Sequence, residues 1–209
     1  DDLGRLTRLT DESEALIVSY TYDALGWLSR KDAGNATYAT YEYDAVGNLL
    51  HLVNHAPDDS VNSRFDYTFD NLGRRAGMET LDGLWSYQYD ATGQLTRAVF
   101  DSYNPAVLPD QDLVYVYDAV GNRVEIVMNG TTTTYVSNNM NKYESVGAAT
   151  YSYDTDGNLI SVDRSGEVTR YTYDVENRLA SVVSPDGEWT HEYDAFGNRV
   201  ATEHDGQRI

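Results

Sequence analysis

One short motif recurs along this chain at a spacing near twenty residues, and a period of that length implies tandem structural units rather than an ordinary globular core. Aligned on its aspartate, the motif centres on Asp1, Asp23, Asp44, Asp70, Asp90, Asp118, Asp154, Asp174 and Asp194. A degenerate copy, YVSNNMNKY at 135–143, has Asn138 in the aspartate place and Asn141 in the glycine place. The irregular gaps hold inserts, the longest being NHAPDDSVNSR (54–64) and DSYNPAVLPDQD (101–112). These contain three of the four prolines and read as surface excursions.

Within a unit, Y-x-Y-D places two aromatics at i and i+2, which share one face of a strand. The pairs are Tyr20/Tyr22, Tyr41/Tyr43, Tyr67/Phe69, Tyr87/Tyr89, Tyr115/Tyr117, Tyr151/Tyr153 and Tyr171/Tyr173, with Tyr193 following His191 in the last copy. The residue between them is polar in all but Val116, the alternation of a half-buried strand. No segment keeps the apolar spacing of a helix across a whole unit.

The D-x-x-G that follows predicts a type I turn. Aspartate at its first position can cap backbone N–H groups, and glycine at the fourth tolerates positive φ. Gly4, Gly26, Gly47, Gly73, Gly93, Gly121, Gly157 and Gly197 occupy that place, with Asn141 and Asn177 in the other two copies. Asparagine is the next residue most tolerant of the left-handed region, so the exchange follows backbone geometry rather than ligand chemistry.

A second strand runs out after the glycine. Its apolar residues three and five past the glycine are expected to share a face, as in Leu50/Leu52, Val124/Ile126, Ile160/Val162 and Ala180/Val182. The far end closes at DG (82–83), NG (129–130), SG (165–166), DG (186–187) and DG (205–206), which are hairpin signals. The predicted fold is all-β: tandem hairpins, about twenty strands of roughly seven residues, forming one long antiparallel sheet that curls around its aromatic face. No linker or change of composition divides residues 1–209, and the whole is expected to be one repeat array. It begins inside a repeat without Met and reads as a fragment of a larger protein.

Composition narrows the chemistry. The formal charge is −19, from 15 Lys+Arg against 34 Asp+Glu, a field that repels nucleic acid and anionic lipid. No stretch approaches the length of an apolar membrane helix. Absence of cysteine removes disulfides and thiol chemistry. Tyr numbers 18 and Phe 4, which suggests an aromatic surface whose hydroxyl ends stay hydrogen-bonded or wet.

YEYDAVGNL (41–49) and YVYDAVGNRV (115–124) resemble the YD-repeat, or Rhs-repeat, family, and the resemblance runs through essentially the whole chain. It implies a segment of a spiralling β-shell from a large secreted or surface protein, as in bacterial polymorphic toxins and the teneurins of animals, in which the shell often surrounds a toxic polypeptide. Implied partners are neighbouring repeats or domains of the parent protein and an enclosed toxin polypeptide. The Asp-Pro pair that encapsulating members carry at a self-cleavage element does not occur in these 209 residues.

Candidate chemistry is sparse. His191 stands in the first aromatic place of its copy and reads as packing. His51 and His55, four apart on a strand, are too far separated to share one metal easily. Carboxylates recur alike in every copy, whereas an enzyme needs one tuned site. No enzyme activity, cofactor or metal is expected, although PDDSVN (57–62) and LPDQD (108–112) are oxygen-rich enough to weigh as calcium loops. NAT (35–37) and NGT (129–131) match the weak N-glycosylation pattern. The leading expectation is a non-enzymatic wall that encloses or displays another polypeptide. The alternative is an adhesion module that binds a cell-surface glycan or protein through the repeat face or the inserts 54–64 and 101–112.

Overall fold

The computed structural model describes residues 1–209 as twenty strands without a helix, grouped into two compact units. The first comprises Asp1–Val114 with Met128–Gly130, and the second Tyr115–Val127 with Thr131–Ile209.

In chain order the strands begin β1 (Arg8–Thr10), β2 (Leu16–Tyr22), β3 (Leu28–Ala33), β4 (Tyr38–Tyr43) and β5 (Leu49–His55). They continue β6 (Val61–Phe69), β7 (Arg75–Thr80), β8 (Gly83–Tyr89), β9 (Leu95–Ser102) and β10 (Gln111–Tyr117). Next come β11 (Arg123–Met128), β12 (Thr131–Ser137), β13 (Tyr143–Val146), β14 (Ala149–Tyr153) and β15 (Leu159–Arg164). The last are β16 (Glu167–Tyr173), β17 (Leu179–Ser184), β18 (Gly187–Tyr193), β19 (Arg199–His204) and β20 (Gln207–Arg208). In each unit consecutive strands pair antiparallel, as β4 with β5 and β16 with β17. Contacts between strands join sequence neighbours alone, so each unit is one layer.

The half-buried face carries the aromatics. In the first unit Trp85 pairs Phe100 and Tyr87 pairs Ala98, and Phe100 is 2% exposed. In the second, Tyr151 pairs Val162, also 2% exposed. Residues on the other face, such as Thr21, Gln88 and Thr172, are exposed. Gly83 is a packing glycine. An added Cβ would stand 2.3 Å from the Asp101 carbonyl oxygen and 2.7 Å from the Phe100 ring.

Two details depart from the expected strand pattern. At the turns of Asp23, Asp44, Asp70, Asp90, Asp154, Asp174 and Asp194 the register slips by one residue: Ser152 pairs Ser161, but Tyr153 pairs Leu159. A type I turn closed by a left-handed residue leaves such a bulge in the outgoing strand. The apolar pair facing the tyrosines is therefore two and five past the glycine, Leu159 and Val162. Ile160, three past it, is the extra residue and is 38% exposed. Second, insert 54–64 is mostly strand. β5 runs to His55 and β6 starts at Val61, so only the turn 56–60 lies outside the ladder, and the insert lengthens the hairpin. In insert 101–112 the irregular part is 103–110.

Candidate functional site

The recurring side chains assemble into a ladder of turns beside the tyrosine face. Asp23, Asp44, Asp70, Asp90, Asp118, Asn138, Asp154, Asp174 and Asp194 each donate their backbone N–H to the carbonyl four residues on, at 2.8–3.0 Å. Gly26, Gly47, Gly73, Gly93, Gly121, Asn141, Gly157, Asn177 and Gly197 donate back to the carbonyl of their own motif residue, at 2.9–3.2 Å. One side-chain oxygen of the motif residue accepts two more N–H groups, from two and four residues on. At Asp44 these come from Val46 at 3.0 Å and Asn48 at 2.9 Å. At Asn138 they come from Met140 at 2.9 Å and Lys142 at 3.1 Å.

These bonds favour the ionised carboxylate. The Asn48 side chain, with backbone N–H groups, holds Asp44 below the ordinary carboxylate range, and the Arg74 and Arg178 N–H groups do the same for Asp70 and Asp174. The chemistry is capping, repeated in every copy.

The residue just after the glycine has a role that its changing identity conceals. Arg178 bonds its own Asp174 at 2.7 Å, donates to the Asp194 carbonyl at 3.3 Å and lies over the Tyr193 ring at 4.8 Å. Arg74 reaches Asp70, the Asp90 carbonyl and the Tyr89 ring in the same way. In that place Arg5 covers Tyr22, Lys142 covers Tyr153, and Trp27 packs against Tyr43 at 5.4 Å between centroids. Where it is asparagine, Asn122 donates to the Asn141 side chain at 3.1 Å and Asn158 to Asn177 at 2.8 Å. The two asparagines in glycine places, at φ 58° and 60°, thus also join one turn to the next.

The second tyrosine of a copy reaches the copy before it. Tyr173 donates its hydroxyl to the Leu159 carbonyl at 3.1 Å, Tyr193 to Leu179 at 2.9 Å, and Tyr89 to Arg75 at 2.7 Å. Tyr22 and Tyr153 bond the carbonyls of Leu6 and Tyr143. Leu159, Leu179, Arg75 and Tyr143 are the residues at the bulge, where the slip disturbs the ladder. Tyr20, Tyr41, Tyr67, Tyr87, Tyr151 and Tyr171 lie across from the residues eight past their motif aspartates, Tyr43 opposite Leu49, and Phe69 opposite Arg75. Tyr115 and Tyr117 lie half-buried on β10. Burial pushes the Tyr43, Tyr153 and Tyr173 phenols upward, which keeps the Tyr153 and Tyr173 hydroxyls neutral donors.

The degenerate copy keeps this packing by exchange. Ser137 stands in the second aromatic place and pairs with Tyr143, which stands where other copies have leucine or arginine. The ring comes from the opposite strand, and Tyr143 packs 5.2 Å from Tyr135. The histidines are dispersed: His51 bonds Asp66 at 2.5 Å, His55 stacks on Tyr38, His191 meets the Thr202 hydroxyl, and His204 stacks on Trp189. No group of three or more His, Asp or Glu side chains is placed to hold a metal.

The RHS Repeat family matches residues 1–37 and 153–188. At those residues the chain carries Rhs, or YD, repeats. Over 138 residues it is 27% identical to the tRNA nuclease WapA of Bacillus subtilis, a match covering 63% of this chain and 5% of that protein. Over 109 residues it is 31% identical to the probable deoxyribonuclease RhsB of Dickeya dadantii, covering 48% and 7%. The chain therefore spans only a small part of these relatives' length. Among solved structures, a chain of TcdB2–TccC3 superimposes over 98% of this chain and 14% of its own length, with TM-score 0.64 and 18% identity. A chain of the Photorhabdus luminescens Tc holotoxin pore matches over 91% and 13%, with TM-score 0.57 and 18% identity. These likenesses show a common fold.

Proposed function

We propose that these Rhs repeats are a structural, non-enzymatic wall, one repeat array of a larger bacterial protein that is secreted or held at the cell surface, and that the wall encloses or displays another polypeptide of that protein. The observation that carries this is the single layer. The accessible surface is 13566 Å², whereas a compact monomer of 23.4 kDa exposes about 9,700 Å². Its aromatic face has no second layer within either unit, as suits a surface that faces other protein. The turn ladder spends its carboxylates on backbone caps, which leaves no tuned acid–base pair. We assign the nuclease activities named for the relatives to parts of those proteins outside the matched stretch, which is 5% and 7% of their length.

Limited proteolysis of the longer protein tests this. A polypeptide outside residues 1–209 should resist protease while the array is intact and be cleaved when prepared alone. Equal cleavage rates in the two settings would overturn enclosure. Cleavage of tRNA or DNA by the 209-residue chain would overturn the non-enzymatic assignment.

A further inference from the structure

The residue two past the motif aspartate sits at the tip of its turn. In the first unit it is aliphatic four times in succession, as Leu3, Leu25, Val46 and Leu72, each between 69% and 81% exposed. The turn itself does not require this. Thr92, Asp156 and Glu176 stand in the same place in other copies, and their N–H groups meet the motif aspartate as those of Leu25 and Val46 do. In the second unit the place reads Val120, Met140, Asp156, Glu176 and Phe196, so the longest unbroken apolar row belongs to the first.

Around this row the polar groups are already satisfied. The N–H groups of Leu3, Leu25, Val46 and Leu72 are held by the carboxylates of Asp1, Asp23, Asp44 and Asp70 at 2.9–3.0 Å, so burying them leaves no donor unpaired. Arg5 and Arg74 pair with Asp1 and Asp70. Ala24 and Ala45 precede the middle two side chains and glycine follows all four, so small residues flank the row. The opposite edge of the unit has the contrary character. Its turns, at 11–15, 33–37, 56–60 and 80–83, hold Asp11, Glu12, Glu14, Asp58, Asp59 and Asp82 and no Lys or Arg.

We propose that this apolar turn edge pairs with the same edge of a second copy of the chain. Each motif copy advances the sheet by two strands, so the four side chains stand about 9.6 Å apart. Two such rows have equal period and match along their whole length about a two-fold axis. With the axis between Leu25 and Val46, Leu25 of either copy meets Val46 of the other, and Leu3 meets Leu72. Charge selects this partner. A turn edge set on an acidic edge would strip water from carboxylates with no cation to receive them. Turn edge on turn edge keeps the acidic edges farthest apart, as suits a chain of charge −19. At roughly 100 Å² apiece, the eight side chains with their small neighbours bury about 1,000 Å², the lower end of specific interfaces, so the pairing is weak and reversible. It goes beyond the wall reading and does not depend on enclosure of a polypeptide.

Sedimentation and ¹⁵N–¹H spectra of the 209-residue chain test this, from about 10 µM to about 1 mM protein in about 0.5 M salt, where the charge is screened. A monomer–dimer equilibrium should appear with a dissociation constant of about 0.1–1 mM. The concentration-dependent shifts should centre on residues 24–26, 45–47 and 71–73. Leu25→Thr combined with Val46→Thr leaves the charge unchanged and copies Thr92, so the melting temperature should hold while the dimer weakens at least about tenfold. Shifts centred on β1 or β20, or association equally strong in the double variant, would overturn the proposal and assign the contact to the outermost strands. A strict monomer at the highest concentration would also overturn it and leave the row to a segment of the longer protein.

Discussion

At Gly93 the backbone turns at φ 89°, and nothing lies within 4 Å of where a Cβ would stand. Replacing it therefore isolates the cost of the left-handed conformation. Gly93→Val should lose about 1–2 kcal/mol in thermal or urea unfolding, and Gly93→Asn much less, since Asn177 adopts φ 60° in the same place. Equal stability of the two variants would contradict the role given to the turn. Tyr173→Phe removes one half-buried hydroxyl from the Leu159 carbonyl and should cost about 1 kcal/mol. Gly83→Ala should cost about 1–3 kcal/mol for a different reason, because its Cβ meets the Phe100 ring and a fixed carbonyl. The residues after the glycines were hidden from sequence reasoning because Arg, Lys, Trp and Asn do the same work there by different chemistry. A comparison of columns across copies, rather than along one copy, is the signal that exposes them.

Among the elements, the hairpins were legible because aromatic alternation and D-x-x-G set strand and turn together. The bulge was not, since a three-residue loop shifts the outgoing register without altering composition. The turn at 11–15 escaped for a related reason. Asp11 caps Ser13 and Ala15 as the motif residues do, but Glu14, at φ 63°, stands where glycine would have marked it. Insert 54–64 looked like a loop through its Pro and Asp, yet Val61, Ser63 and Phe65 keep the ladder going. The capped turns also give the array its acid limit. Asp44, Asp70 and Asp174 have folded values below the ordinary carboxylate pKa, so their stabilisation is present above about pH 4 and is lost as pH falls through the lowered values. The melting temperature should stay level from about pH 7 to about pH 5 and fall below about pH 4. A melting temperature unchanged into that acid range would contradict the capping account.

For the whole molecule, stability is expected to be a sum over neighbours, because strands touch only their sequence neighbours and the Tyr22, Tyr89, Tyr153, Tyr173 and Tyr193 hydroxyls bind the copy before. The outermost strands β1 and β20 each have one ladder partner, β2 and β19. The charge of −19 opposes pairing between molecules, and salt above about 0.1 M screens it. Light scattering should show growing association across a salt series, and a strict monomer at every salt would mean the edges are protected. The central claim, that the repeated motif exists to bind each repeat to the next, is tested most directly by native-state hydrogen exchange on Tyr173→Phe. Protection should fall in β14 to β17, which flank the lost hydroxyl–carbonyl bond, and remain unchanged in β2 to β9. Loss of protection spread evenly through all strands, or none in β14 to β17, would contradict it.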